Sequence, residues 1–381
     1  MAKGALLTDL RAQTDTYVSA SPPSESGPTE TFAQWHRDLR RGVSAAVNDF
    51  VANRCTGHLA DTGVDVAAEV LQNYVAGGKC FRSTFAYLGW LSAAEPDGAA
   101  LCAAASFELL HAFALLQDDV MDGAAMRRGG PSAHVVFARW HRGRALPGSA
   151  ERFGESAAVL LGDLCLVWAE QMLRESGLEP EALDRVRSRY DAMRVELAVG
   201  QFTDLINDAG AFPALDRVLE MSRRKSGNYT VRRPLEIGAT LAGCEQHVVT
   251  LLSGYGEALG DAFQLRDDLL GIFGCTSATG KPVGGDLSEH KATSVVVAAH
   301  TLAGPALRHQ LREVMSAREL DDEDVRRWRG LITATGAVEW VEQLISSRLD
   351  RALAWIDSDL LDSAVRQALT EMAAACTDRA A

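Results

Sequence analysis

The chain has 381 residues, of which 47% are hydrophobic and 23% charged, and its formal net charge is −13. This describes a globular protein with a substantial core, and the negative balance excludes nucleic acid or an anionic membrane as principal partner, since those surfaces reward clustered Lys and Arg. Length alone admits one large domain or two ordinary ones.

The N-terminal run Met1 to Leu7 is ended by Thr8 and Asp9 before an apolar core long enough for a signal peptide can form. Residues 1–30 are rich in Ser, Thr, Pro and Gly and read as a flexible arm. Residues 31–381 read as one all-α domain. Phe32, Trp35, Leu39, Val43, Val47 and Val51 recur at three- and four-residue steps, the stripe of an amphipathic helix. Similar spacing predicts helices over about 81–93, 99–122, 155–176, 181–206, 214–228, 247–273 and 322–356. Strand alternation is scarce, and no Asn-Gly or Asp-Gly hairpin separates two apolar runs. Long helices with short Gly- or Pro-containing breaks predict a single large helical bundle around a central apolar cavity.

The longest apolar stretch, about Leu101 to Leu116, contains Glu108 and His111, is too short to span a bilayer and reads as a buried helix, so no transmembrane segment is expected. The seven cysteines, Cys55, Cys80, Cys102, Cys165, Cys244, Cys275 and Cys376, are odd in number and never form a C-x-x-C pair. That pattern predicts reduced thiols in the cytoplasm rather than a disulfide frame or a zinc site.

Two aspartate-rich segments interrupt the apolar helices, Asp118-Asp119-x-x-Asp122 and Gln264-x-x-Asp267-Asp268. Carboxylates are seldom buried without a partner, and like charges on one apolar helix call for a cation. Asp118 and Asp122 are four apart, roughly 40° around the helix axis, so both face one side; Asp119 points roughly 100° away and is assigned a supporting place. Asp267 and Asp268 would form the opposing wall of one site, Asp267 ligating and Asp268 supporting. An all-oxygen donor set favours Mg²⁺, which shares its shell with water and phosphate oxygens.

Bases accompany the carboxylates: Lys79 and Arg82 ahead of the first segment, Arg127 and Arg128 after it, Lys225 beside Ser226, and Lys281 and Lys291 after the second. Arg suits bidentate phosphate recognition and Lys a compact charge on one oxygen. Singly each is an ordinary surface charge; as a set, with carboxylates and apolar walls, they describe a diphosphate bearing a hydrocarbon tail. His111 lies two turns before Asp118 on the same face and joins the candidate diphosphate contacts.

Six ordered motifs between about residues 35 and 300 resemble the trans-isoprenyl diphosphate synthases, or polyprenyl synthetases. They are Gly77-Gly78-Lys79-x-x-Arg82, Glu108-Leu109-Leu110-His111, Asp118-Asp119-x-x-Asp122 with Arg127-Arg128-Gly129, Gly200-Gln201-x-x-Asp204-Leu205, Lys225-Ser226-Gly227, and Gln264-x-x-Asp267-Asp268 with Gly280-Lys281 to Lys291. The resemblance implies the isoprenoid synthase fold, a homodimer, and Mg²⁺ held by Asp118, Asp122 and Asp267 on an allylic diphosphate. It implies that Arg127, Lys225 and Lys281 grip that diphosphate, that Lys79, Arg82, His111 and Arg128 take isopentenyl diphosphate, and that Gln264 and Ser226 stand beside the developing cation.

The chain departs from the family pattern at Gly271, which stands where the second segment has its third acid, at Gln117, which replaces a His, and at Cys80 and Ser83. Phe113 and Ala114, five and four residues before Asp118, with no insertion in the motif, resemble geranylgeranyl diphosphate synthases, which stop at twenty carbons; fifteen- and twenty-five-carbon products are the alternatives. A type I terpene cyclase would not need Lys79, Arg82 and Arg128 for a second diphosphate, and a non-catalytic partner subunit would have lost its aspartates or arginines.

Overall fold

A computed structural model of the protein describes residues 21–23, 31–59, 62–209, 212–274, 285–315 and 320–378. Helices dominate them, gathered into two compact units. The first takes in the described residues up to Arg187 with Pro234–Val248 and Asp362–Ala368, and the second Ser188–Arg233, Val249–Leu361 and the remainder from Leu369.

The first unit is built from α1 (Phe32–His58), α2 (Val66–Val75), α3 (Phe81–Leu91), α4 (Gly98–Met121), α5 (Ala133–Gly143) and α6 (Ala150–Arg174). Thr31 and Asp97 cap α1 and α4, their side-chain oxygens accepting from the N–H groups of Gln34 and Ala100. From Gly98 to Leu110 every residue of α4 is buried, which makes it the axis of this unit, packed against α1, α3 and α6. Gln117 ties α4 to α6 through the carbonyl of Val159, 3.2 Å from its Nε2.

α4 and α6 are both long and apolar enough by length and composition to cross a membrane, so the expectation that the apolar run is too short does not hold for the complete helices. In α4, 78% of the most apolar window is buried against other parts of the protein, as in a core helix; in α6 the share is 44%.

The second unit contains α8 (Leu215–Ser222), a π-helix (Arg223–Arg232), α11 (Gly285–Ser288), α12 (Ser294–Leu302), α13 (Pro305–Met315), α14 (Asp322–Ala334) and α15 (Ala337–Ile356). Four helices have residues in both units: α7 (Pro180–Ala209), α9 (Arg233–Leu241), of which only Arg233 lies in the second, α10 (Gln246–Phe273) and α16 (Ser363–Thr377). Leu269, Ile272, Val296, Trp328, Ile332, Val341 and Ile345 form the core of the second unit. α10 and the π-helix meet at two glycines: a Cβ on Gly260 would lie 2.6 Å from the Gly227 carbonyl oxygen, so larger residues would push the two backbones apart.

The predicted run 322–356 is two helices, broken where Gly336 takes a φ of 78°. The predicted 214–228 helix leaves α geometry at Arg223 and closes i→i+5 bonds, as Arg233 N does to the Asn228 carbonyl. Among the described residues there is one hairpin, Met126–Arg127 pairing with Gly130–Pro131. Its turn residues Arg128 and Gly129 both have positive φ, 51° and 79°, the requirement of a type I′ turn that is normally met by Asn-Gly.

Candidate active site

In the first unit the aspartates divide their work by direction. Asp118 and Asp122 lie half-buried on one face at the C-terminal end of α4, whereas Asp119 turns inward and is 0% exposed. Its carboxylate accepts a hydrogen bond from Tyr74 Oη at 2.6 Å and two from the guanidinium of Arg127, one of them from Nε at 2.8 Å. Tyr74 Oη in turn accepts from the backbone N–H of Ala133 at 3.0 Å. This buried trio fixes the hairpin to α4 and α2, and it leaves Arg127 Nη2 3.7 Å from Asp118.

The same hairpin aims Arg128 back at α2, where Nη1 donates to the carbonyls of Tyr74 at 3.2 Å and Ala76 at 2.8 Å. Arg82, Arg128 and Arg127 all act electrostatically on His111. Burial first, then those three charges, hold the imidazole well below its ordinary range, so it is neutral at pH 7. Three guanidinium groups about a neutral imidazole make a ready anion site. Glu108 is buried beside it, accepting from Ser83 Oγ at 2.7 Å. Lys79 Nζ lies over the Phe81 ring, 6.0 Å from its centroid. Phe113 and Ala114 are half-buried on α4.

The second unit carries the other group. Lys225 lies in the π-helix with Nζ 2.6 Å from the Asp204 carboxylate, and Ser226 follows it, half-buried. On α10, Asp268 is buried and accepts from Gln264 Nε2 at 2.8 Å, Ser294 N at 3.0 Å and Ser294 Oγ at 2.5 Å. Burial pushes its carboxyl up to about 6, more than these bonds lower it. Asp267, one residue earlier on the helix, is half-buried. Lys291 pairs with Glu289 at 3.0 Å. Lys281 lies outside the described residues.

Sequence reasoning passed over Tyr74, Asp204 and Ser294. Asp204 stands in a quoted motif and was open to notice; Tyr74 and Ser294 are linked to their aspartates only by folding, across 45 and 26 positions of chain.

Among the described residues no three carboxylate, imidazole or thiol groups converge into a preformed metal cage. Mg²⁺ does not need one, because it is bound by one or two carboxylates and completes its shell with water and phosphate oxygens. The half-buried pair Asp118 and Asp122 fits that demand.

Against known proteins, residues 64–332 match the polyprenyl synthetase family model. Geranylgeranyl diphosphate synthase of Mycobacterium tuberculosis is 32% identical over 280 residues, 73% of this chain and 75% of that one. Geranylfarnesyl diphosphate synthase of Aeropyrum pernix is 30% identical over 282 residues, 73% of this chain and 82% of that one. Among solved structures, the geranylgeranyl pyrophosphate synthase of Corynebacterium glutamicum, complexed with isoprenyl diphosphate and magnesium, superposes with a TM-score of 0.85 at 36% identity, covering 90% of this chain and 99% of that one.

The chain belongs to the polyprenyl synthetase family. It has the all-α isoprenoid synthase fold and is a prenyl-transferring enzyme.

Proposed function

We propose that this enzyme condenses isopentenyl diphosphate head-to-tail with an allylic diphosphate (dimethylallyl, geranyl or farnesyl) and stops at the twenty-carbon geranylgeranyl diphosphate. The observation that carries the reading is the hairpin that sets Arg127 Nη2 3.7 Å from Asp118, on the helix that also carries Asp122 and, two turns before Asp118, His111. Those carboxylates would repel a diphosphate unless a hard cation intervened. In this reading Asp118, Asp122 and Asp267 hold Mg²⁺, which when bound draws charge from the leaving diphosphate. Asp119 and Asp268 hold their neighbours in position.

Arg127, Lys225 and Lys281 grip the allylic diphosphate, Lys291 is a further substrate contact, and Lys79, Arg82, His111 and Arg128 bind isopentenyl diphosphate. The allylic carbon–oxygen bond breaks, and the diphosphate leaves with the electron pair under the stabilising charge of these bases. The π electrons of isopentenyl diphosphate then form the new carbon–carbon bond, and a proton is lost to the released diphosphate. Ser226 and the Gln264 amide present their dipoles to the intermediate carbocation, and apolar walls exclude the water that would quench it. We assign the enzyme to the cytoplasm as a homodimer.

The assay is purified protein with Mg²⁺, isopentenyl diphosphate and each primer, the products resolved by chromatography. An all-trans prenyl diphosphate longer than the primer is expected; a cyclised hydrocarbon formed without isopentenyl diphosphate would overturn the reading. The twenty-carbon limit rests on Phe113, with Ala114 beside it, as the floor beneath the growing tail. Phe113→Ala is expected to shift the product distribution to longer chains, and an unchanged distribution removes Phe113 from that role.

A further inference from the structure

The segment that presents Lys79 is held by two arginines from different elements. It runs from the end of α2 to the start of α3, and its backbone is left-handed at Gly77 and at Cys80, with φ of 71° and 51°. Cys80 opens α3 without a side-chain cap, so helix capping does not fix these residues. Arg128 of the hairpin takes the Tyr74 and Ala76 carbonyls, and a Cβ on Gly78 would lie 3.7 Å from its Nη2.

The second arginine comes from α1. Arg40 Nη2 donates to the Gly78 carbonyl at 2.9 Å, across 38 positions of chain. Arg40 and Ser44, one turn on, both form hydrogen bonds with the Cys80 thiol. One turn back, His36 Nε2 lies 3.2 Å from Thr84 Oγ1. That hydroxyl gives its hydrogen to the Cys80 carbonyl at 2.8 Å, so the imidazole is the donor in its contact with His36. Burial, then the Arg40 charge, lowers His36 to about 4, and the ring is neutral at pH 7. His36, Arg40 and Ser44 thus make a polar ladder on one face of α1, at four-residue steps.

Arg40 is the rung that meets the loop ahead of α3. An arginine in an ion pair commonly gives two parallel N–H bonds to a carboxylate. Arg40 Nε is instead buried without an acceptor among the described residues, and the contact that orients the guanidinium is the loop carbonyl. Cys80 is also a place where the chain departs from the family pattern. Burial first, then the Glu108 charge, pushes its thiol up to about 12, so position 80 itself is neutral and the positive charge that meets it comes from α1.

We propose that Arg40 is a positioning residue for isopentenyl diphosphate: by holding the Gly78 carbonyl it sets the backbone from which Lys79 reaches that substrate. The inference rests on the reading that Lys79 binds isopentenyl diphosphate. It concerns one substrate of the two, because the contacts of Arg40 with this segment involve no residue assigned to the allylic diphosphate.

The test is steady-state kinetics with Mg²⁺, isopentenyl diphosphate and geranyl diphosphate, each substrate varied in turn, on wild type, Arg40→Met, Arg40→Lys and Lys79→Ala. Arg40→Met keeps an unbranched side chain and removes the donors. It is expected to raise KM for isopentenyl diphosphate about 10-fold, the order for one hydrogen bond from a charged group. KM for geranyl diphosphate and kcat should stay within about twofold of wild type, the pattern of lost ground-state binding of one substrate. Arg40→Lys keeps a charged donor and should return KM for isopentenyl diphosphate to within about threefold of wild type. A general weakening of the fold would move both KM values and kcat together and would not be repaired by lysine.

If Lys79→Ala raises KM for isopentenyl diphosphate and Arg40→Met does not, the proposal is overturned and the substrate reading stands. The same holds if Arg40→Met raises both KM values alike or if Arg40→Lys is no better than Arg40→Met. If Lys79→Ala leaves KM for isopentenyl diphosphate at the wild-type value, the substrate reading and the proposal fall together.

Discussion

Asp118→Asn is expected to lower kcat/KM for prenyl transfer on the order of 10²–10³-fold, the usual cost of losing one preorganised electrostatic group. The substitution keeps the size of the side chain and its place on α4 and removes the charge. Its side chain is 21% exposed and Arg127 Nη2 lies 3.7 Å away, beyond hydrogen-bond distance, so the loss falls on ligand binding more than on the fold. The Mg²⁺ concentration for half-maximal rate should rise in parallel, while the urea midpoint stays close to wild type. A variant with wild-type kcat/KM and an unmoved Mg²⁺ titration would show that the metal reading of this segment is wrong.

The opposite pattern is expected one residue on. Asp119→Ala removes the anion to which Tyr74 and the Arg127 guanidinium are bound, and leaves that arginine partly buried without its closest counter-charge. Breaking a buried pair by deleting one member costs about 3–5 kcal/mol, a large part of the margin of a folded domain. A fall of that size in the free energy of urea unfolding is the expected result, together with loss of activity as the hairpin releases Arg127 and Arg128. Tyr74→Phe leaves the ion pair in place and removes the two hydrogen bonds of the hydroxyl, to Asp119 and from the Ala133 N–H, and should cost about 2 kcal/mol. If Asp119→Ala unfolds at the wild-type midpoint, the trio does not hold the hairpin.

Most of the architecture could be read from the chain because the long helices announce themselves. α4 is apolar almost throughout, and the acids near its end stand out against that background. The short helices Val66–Val75, Ala133–Gly143, Ser294–Leu302, Pro305–Met315 and Ser363–Thr377 were missed. Each spans only a few turns, so periodicity has little length in which to accumulate. The hairpin was hidden because its turn is Arg128-Gly129 and not Asn-Gly, and the π-helix because its widened repeat looks like a continuation of α8.

In the site, the residue types and their order were legible: the aspartates, the bases and His111. The pairings were not, because a partner such as Ser294 for Asp268 is set by tertiary folding and leaves no local mark. Gly271 illustrates the limit most clearly. In the sequence it is a missing acid, and only the folded chain shows the Asp286 carboxyl filling the space into which a side chain there would project.

Arg128 bears on how such an enzyme balances durability against reactivity. Its φ of 51° lies in the left-handed region, where an L-residue other than glycine carries a penalty of about 1–2 kcal/mol. Glycine at this position would relieve the backbone, but it would give up the two hydrogen bonds by which the Arg128 guanidinium ties the hairpin to the end of α2, and the charge with them. The chain therefore accepts a strained backbone at the point where it presents a guanidinium, and a search for thermostable variants guided by backbone conformation alone would favour glycine there and discard that charge.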